Sequence, residues 1–156
     1  MEKLNTTVLE KRLNLLESYI PHFESINLKV SKATIAWQLD HSLKVINMVA
    51  ISMLNSDPTM YQNNFSFLGK VFFKIGFFPR GKAKAPKYVQ PPEIILKKDL
   101  VKQLTEAREN ILKIKNLKEN AFFKHPLFGH INTKRVIRFL DTHTNHHLKI
   151  VQSILK

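Results

Sequence analysis

Apolar residues return every three or four positions in four separate segments of this chain, and that periodicity restricts the fold more than any other feature. The first series is Leu9, Leu13, Leu16 and Ile20; the third is Leu96, Leu100, Leu104, Ala107, Ile111 and Ile114; the fourth is Val136, Leu140, Ile150 and Ile154. The second series, from Ser31 to about Asn55, is apolar over most of its circumference, with Asp40, Lys44 and Asn47 marking an exposed side. At about 100° per residue each series lies along one helical face. The pattern predicts an all-α fold, and 156 residues suffice for one domain, residues 1–156, with its own core.

Local signals set the expected boundaries. Thr7-x-x-Glu10 reads as a capping box opening the first helix, and Pro21 ends it. Ser31 is the expected cap of the second helix, and Asn55-Ser56-Asp57-Pro58 its stop. The third helix is expected near Pro92-Glu93, and the last to be capped by Asn132 or Thr133. Residues 57–92 break the periodicity and read as an irregular basic and aromatic crossover, with Leu68 to Phe78 able to hold a short helix. A connection of that length lets the second and third helices run parallel, where a short loop would force them antiparallel.

The last helical pattern carries the densest functional signal, Asp141-Thr142-His143-Thr144-Asn145-His146-His147. His143 and His147 fall within the apolar line, about 20° either side of its centre, while His146 sits roughly 80° away, toward the rim. Two imidazoles at i and i+4 can hold one divalent metal from one side, or serve as core histidines bonded to their neighbours. His41 lies on the apolar side of the second helix, near Trp37, Val45 and Met48, and is the natural third ligand. It stands about 9 residues from that helix's start, and the His143/His147 midpoint about 10 from the chain's helical end, roughly 14 and 15 Å. Antiparallel helices would bring all three rings to one height. His22 reads as a solvated linker residue, and His125 and His130 fall in a loop, where backbone hydrogen bonding is the expectation and lining a site entrance the alternative.

The chain has no cysteine, which excludes a disulfide scaffold, a thiolate metal site and a cysteine nucleophile. Lys+Arg number 25 against 12 Asp+Glu, a formal charge of +13 that favours anionic partners. Arg80, Lys82 and Lys84 read as carboxylate binders beside a pocket, the partner then being a small anionic molecule. The same basic residues beside Phe65, Phe67, Phe72, Phe73, Phe77 and Phe78 also admit a non-enzymatic module binding nucleic acid or another polyanion, which ranks second. The amphipathic helices allow a homodimer as well. Met1-Glu2-Lys3-Leu4-Asn5 lacks an apolar signal core and no stretch is long enough to span a membrane, so a cytoplasmic protein without membrane partners is expected.

Taken together, Trp37-x3-His41, the Pro79-Arg80-Gly81-Lys82-Ala83-Lys84-Ala85-Pro86 segment, His125-Pro126-x-Phe128-Gly129 and His143-x2-His146-His147 resemble the DinB/YfiT-like metalloprotein superfamily. More narrowly, they resemble its uncharacterised branch with the His-Pro-x-Phe-Gly loop, over essentially the whole chain. The resemblance implies a DinB-like four-helix bundle with a long crossover between helices 2 and 3, and a divalent metal on His41, His143 and His147. It implies zinc or nickel first, with iron or manganese also compatible with nitrogen ligands, and His146 or His125 as neighbours of the site. Characterised relatives include transferases and isomerases that use a low-molecular-weight thiol as cosubstrate. A metal-dependent, thiol-dependent transferase or hydrolase is therefore the leading expectation. The chain departs from better-studied members after His147, where Leu148-Lys149-Ile150 replaces the Arg-Gly-Gln they often carry.

Overall fold

The computed structural model describes residues 3–80 and 84–156. Helix α1 (Thr7–Tyr19) buries Leu9, Leu13 and Leu16. Its cap is Thr6, one residue before the position expected, and the Thr6 hydroxyl donates to Glu10 at 3.0 Å. Pro21 lacks an N–H and the chain leaves α1 through a single tight turn, Ile20–His22. Helix α2 (Ile35–Leu54) is capped by Thr34, whose hydroxyl accepts from the Trp37 N–H. Ser31, the expected cap, accepts instead from Ala33 N–H in the preceding turn.

A short α3 (Phe67–Ile75) forms inside the crossover, opened by the Ser66 hydroxyl accepting from Gly69 N–H and closed by Gly76 in the left-handed region at φ 68. Helix α4 (Lys97–Ile114) starts later than Pro92-Glu93 would place it: the chain bends at Glu93 and Ile94, Ile95 packs against the core and Leu96 is extended before the first helical residue. Helix α5 (Thr133–Ile154) follows Asn132 directly.

The segment around His125 and His130, which shows no helical periodicity, forms an antiparallel hairpin, β1 (Phe122–His125) with β2 (Gly129–Asn132), in register Phe123↔Ile131 and Lys124↔His130. Four-residue strands are too short to display an alternation that distinguishes them from loop. The fold is mostly helical, consistent with the helical expectation, with this one small sheet added among the described residues. The hairpin is tied to the crossover: Ser66 N–H donates to the Phe128 carbonyl at 2.9 Å and His130 N–H to the Asn64 side chain at 2.7 Å. Gly129, at φ 77, lets the two backbones approach, since a Cβ there would stand 2.5 Å from the Asn64 carbonyl oxygen.

Helices α1 and α2 each pack along both α4 and α5. Polar pairs give their sense. Asp40 meets Gln103 and Asn47 meets Asn110, so α2 and α4 run parallel, the arrangement a long crossover permits. Glu10 pairs with Lys115 and Glu17 with Arg108, so α1 and α4 run antiparallel. His41 faces His143 while Gln38 meets His147, so α2 and α5 run antiparallel.

The side of α2 expected to be exposed is in fact covered by α4. Asp40 is 1% and Asn47 7% exposed. Their polarity is compatible with burial because each is answered: the Asp40 carboxylate accepts from Gln103 and Lys44, and Asn47 donates to the Gln103 carbonyl while accepting from Asn110. Among the described residues no helix is long and apolar enough to cross a membrane.

Candidate metal centre

Antiparallel packing of α2 on α5 brings His41, His143 and His147 together. Ring centroids are 5.1 Å apart for His41 and His143, 4.8 Å for His41 and His147, and 4.7 Å for His143 and His147. One nitrogen from each lies within 4.8 Å of the others, so the group can hold a metal ion. Tetrahedral ligation at about 2.1 Å places two nitrogens about 3.4 Å apart, so the three rings draw closer together on sharing one ion.

Two of the three rings are held by carbonyl oxygens. Nδ1 of His41 donates to the Val89 carbonyl at 2.8 Å, and Nδ1 of His147 donates to the Gln38 side-chain oxygen at 2.7 Å. A carbonyl oxygen only accepts, so each proton is on Nδ1 and each neutral ring carries its lone pair on Nε2. Trp37, one turn before His41, stacks on that ring at 5.0 Å and limits its rotation. Burial pushes the His143 and His147 imidazoles well below the ordinary histidine value, with the neighbouring histidines adding to it. Burial also lowers His41, partly offset by the Val89 bond and by Asp40. All three rings are thus neutral near pH 7, the form that ligates metal.

Nδ1 of His143 is buried without a hydrogen-bond partner among the described residues. Such a group costs on the order of 1–3 kcal/mol unless something beyond the protein's own polar groups meets it. The donor set fits a divalent cation: three neutral imidazoles, two of them oriented from behind, and one nitrogen the fold leaves unanswered. The acidic residues flanking two of these histidines in sequence are engaged elsewhere, Asp40 with Gln103 of α4 and Asp141 with Arg12 of α1 at 2.8 Å.

His146 is half-buried and sits against His147 and the edge of Phe78; burial first, then Arg80, lower its pKa. His125 stacks flat on Phe128 at 4.2 Å, and its Nδ1 accepts from the Leu127 and Phe128 N–H groups. Burial drops its pKa to about 4. Its ring lines the site and its Nδ1 is committed to the loop. His130 stacks on Phe122 and accepts from Gln62 N–H, a structural role. His22 is exposed.

A cavity of about 850 Å³ opens onto the three rings, walled by Trp37, Phe72, Phe78, Phe128 and Phe139. Lys84 lies at its rim together with Lys124, which the sequence did not single out. Arg80 is on a separate shallow cleft with His146 and Lys149, and Lys82 lies outside the described residues. The phenylalanines of the crossover mostly pack inward: Phe65, Phe72, Phe73 and Phe78 cluster with Phe128 or Phe139, leaving Phe67 and Phe77 exposed.

Sequence reading also missed Gln38 and Val89, the groups that orient two of the rings. Gln38 carried a usable signal, a polar residue three before His41 in an otherwise apolar stretch. Val89 carried none, because its carbonyl acts and not its side chain. Compared with known proteins, the chain matches no family model, no curated protein and no solved structure.

Proposed function

We propose that the chain is a DinB-like four-helix bundle whose His41, His143 and His147 hold one divalent metal ion, and that it acts as a metal-dependent transferase or hydrolase. The observation that carries this reading is the environment of the rings: Val89 and Gln38 hold the Nδ1 protons of His41 and His147, so that Nε2 is the lone-pair nitrogen of each, and Nδ1 of His143 meets no partner among the described residues. A structural histidine needs partners for its nitrogens; these are prepared for a partner that is not protein.

Three imidazole ligands leave a coordination position open, the arrangement of a catalytic site rather than a closed structural one. Zinc and nickel suit this all-nitrogen set best, with iron or manganese also compatible. An ion held there supplies Lewis acidity toward a water or thiol at the open position. With no cysteine in the chain, a sulfur nucleophile has to arrive as a low-molecular-weight thiol. The protein's own part is to present neutral ligands, to exclude bulk water with the aromatic wall, and to place His146 beside the site.

Metal content measured by mass spectrometry on untagged protein tests the reading. About one equivalent is expected in the wild type and none in folded His41→Ala, His143→Ala or His147→Ala. Stoichiometric metal retained by those variants, or none taken up by the wild type from zinc, nickel or manganese, removes the assignment.

A further inference from the structure

The cavity over the histidines has walls and a rim of different chemistry. Its walls are aromatic and aliphatic, and Lys84 and Lys124 are the only charged side chains among the described residues that line it; no acidic side chain does. Both lysines are exposed, so each ammonium stays hydrated at the mouth while the interior is apolar. Leu68, Tyr88 and Leu127, which also line the cavity, are 45%, 62% and 54% exposed, so its apolar lining reaches solvent.

At about 850 Å³ the space is that of a site for a whole small molecule, larger than a water or a bare ion requires. A strongly polar occupant would leave hydroxyls or amides unpaired against the phenylalanines, at a cost in affinity. A purely apolar occupant would make no use of the two cations.

We propose that this cavity binds a small amphipathic anion, an apolar chain or ring system carrying one carboxylate-like group, with the apolar body on the aromatic wall and the anionic group paired with Lys84 and Lys124. The inference rests on the metal reading only for the end of the ligand that faces His41, His143 and His147; the wall and the rim stand without it.

Trp37, the one tryptophan of the chain, lines the cavity, so its fluorescence reports occupancy directly. The test titrates acetate, octanoate, decanoate, dodecanoate and 1-octanol into the full chain, once after dialysis against a chelator and once with an equivalent of zinc, with calorimetry in parallel. Affinity is expected to rise about fourfold per added methylene, acetate to give no signal, and octanoate to bind more tightly than 1-octanol. The double substitution Lys84→Glu with Lys124→Glu, at exposed positions that do not threaten folding, is expected to weaken octanoate about five- to tenfold and leave 1-octanol within about twofold. Affinity independent of chain length, equal weakening of acid and alcohol, or no binding overturns the proposal. Binding that requires zinc and ignores the lysines places the carboxylate on the metal and overturns the proposed orientation. A protein that takes up no zinc yet binds the series in the expected order refutes the metal reading and supports this one.

Discussion

Gln38 and His147 are joined across the α2–α5 interface by a 2.7 Å hydrogen bond between two buried side chains, the imidazole Nδ1 donating to the amide oxygen. The bond fixes the tautomer of His147, leaving Nε2 as its lone-pair nitrogen, in a ring whose centroid is 4.8 Å from that of His41 and 4.7 Å from that of His143. It also means that α2 contributes to the candidate metal centre twice, once by a ligand and once by the group that orients a ligand on α5.

Replacing Gln38 by Leu keeps the volume and removes the acceptor. Zinc affinity is expected to fall about 10- to 100-fold, the usual effect of losing a group that orients a metal-bound histidine. Gln38→Glu retains an acceptor at the same place and should stay within about tenfold of wild type. Competition against a chromophoric chelator measures both. An unchanged affinity in Gln38→Leu would show that the bond does not prepare His147 for metal.

His143 separates function from stability. In metal-free protein its buried Nδ1 is unpartnered, so His143→Leu removes a cost of about 1–3 kcal/mol and fills similar space. The variant is expected to bind no metal and, without metal, to unfold at higher urea than wild type. With zinc present the order should reverse, because an ion that binds only the folded state stabilises it by mass action. A wild type more stable than the variant in both conditions would mark His143 as a structural residue.

Much of this architecture was readable from particular residues. The i, i+4 pair His143 and His147 replaces aliphatics on the apolar line of α5, and His41 stands on the buried side of α2; one spacing rule places all three indoors, and the structure brings their rings to about 5 Å of one another. The parallel run of α2 and α4 was legible in the length of the crossover. Two things were not legible. Asp40 and Asn47 look exposed by composition, and only the partners Gln103 and Asn110, remote in sequence, make their burial tolerable. The hairpin at residues 122–132 is defined by contacts of Phe128, Gly129 and His130 with residues 64–66 and Gln62, which no local pattern encodes.

Gly129 is the tightest of those contacts. Gly129→Ala forces a β-carbon into a left-handed residue and against the Asn64 carbonyl, 2.5 Å away by ideal geometry. The backbone penalty alone is about 1–2 kcal/mol, and displacement of residues 64–66 adds to it. A clear drop in the urea midpoint is expected. Because Phe128 and His125 line the cavity from this hairpin, weaker octanoate binding should accompany it. An unchanged midpoint would mean that the hairpin is not held against the crossover at Gly129.

His125 makes the stability of the fold sensitive to acid below about pH 6.5. Its Nδ1 accepts two backbone N–H bonds that a protonated ring cannot accept, and burial holds its folded pKa near 4 against an unfolded value near 6.5. The unfolded chain therefore binds a proton between those values that the folded chain refuses. The associated stability is complete above about pH 6.5, declines as pH falls toward 4 and is gone below it. The other buried histidines act in the same direction, so the informative quantity is a difference between two proteins. His125→Asn offers a side-chain oxygen to the same N–H groups and cannot titrate. In metal-free protein its urea midpoint is expected to fall less steeply than that of wild type between pH 6.5 and 4.5, with parallel behaviour above pH 7. Equal slopes for the two proteins across that window would show that His125 is not held neutral by the fold.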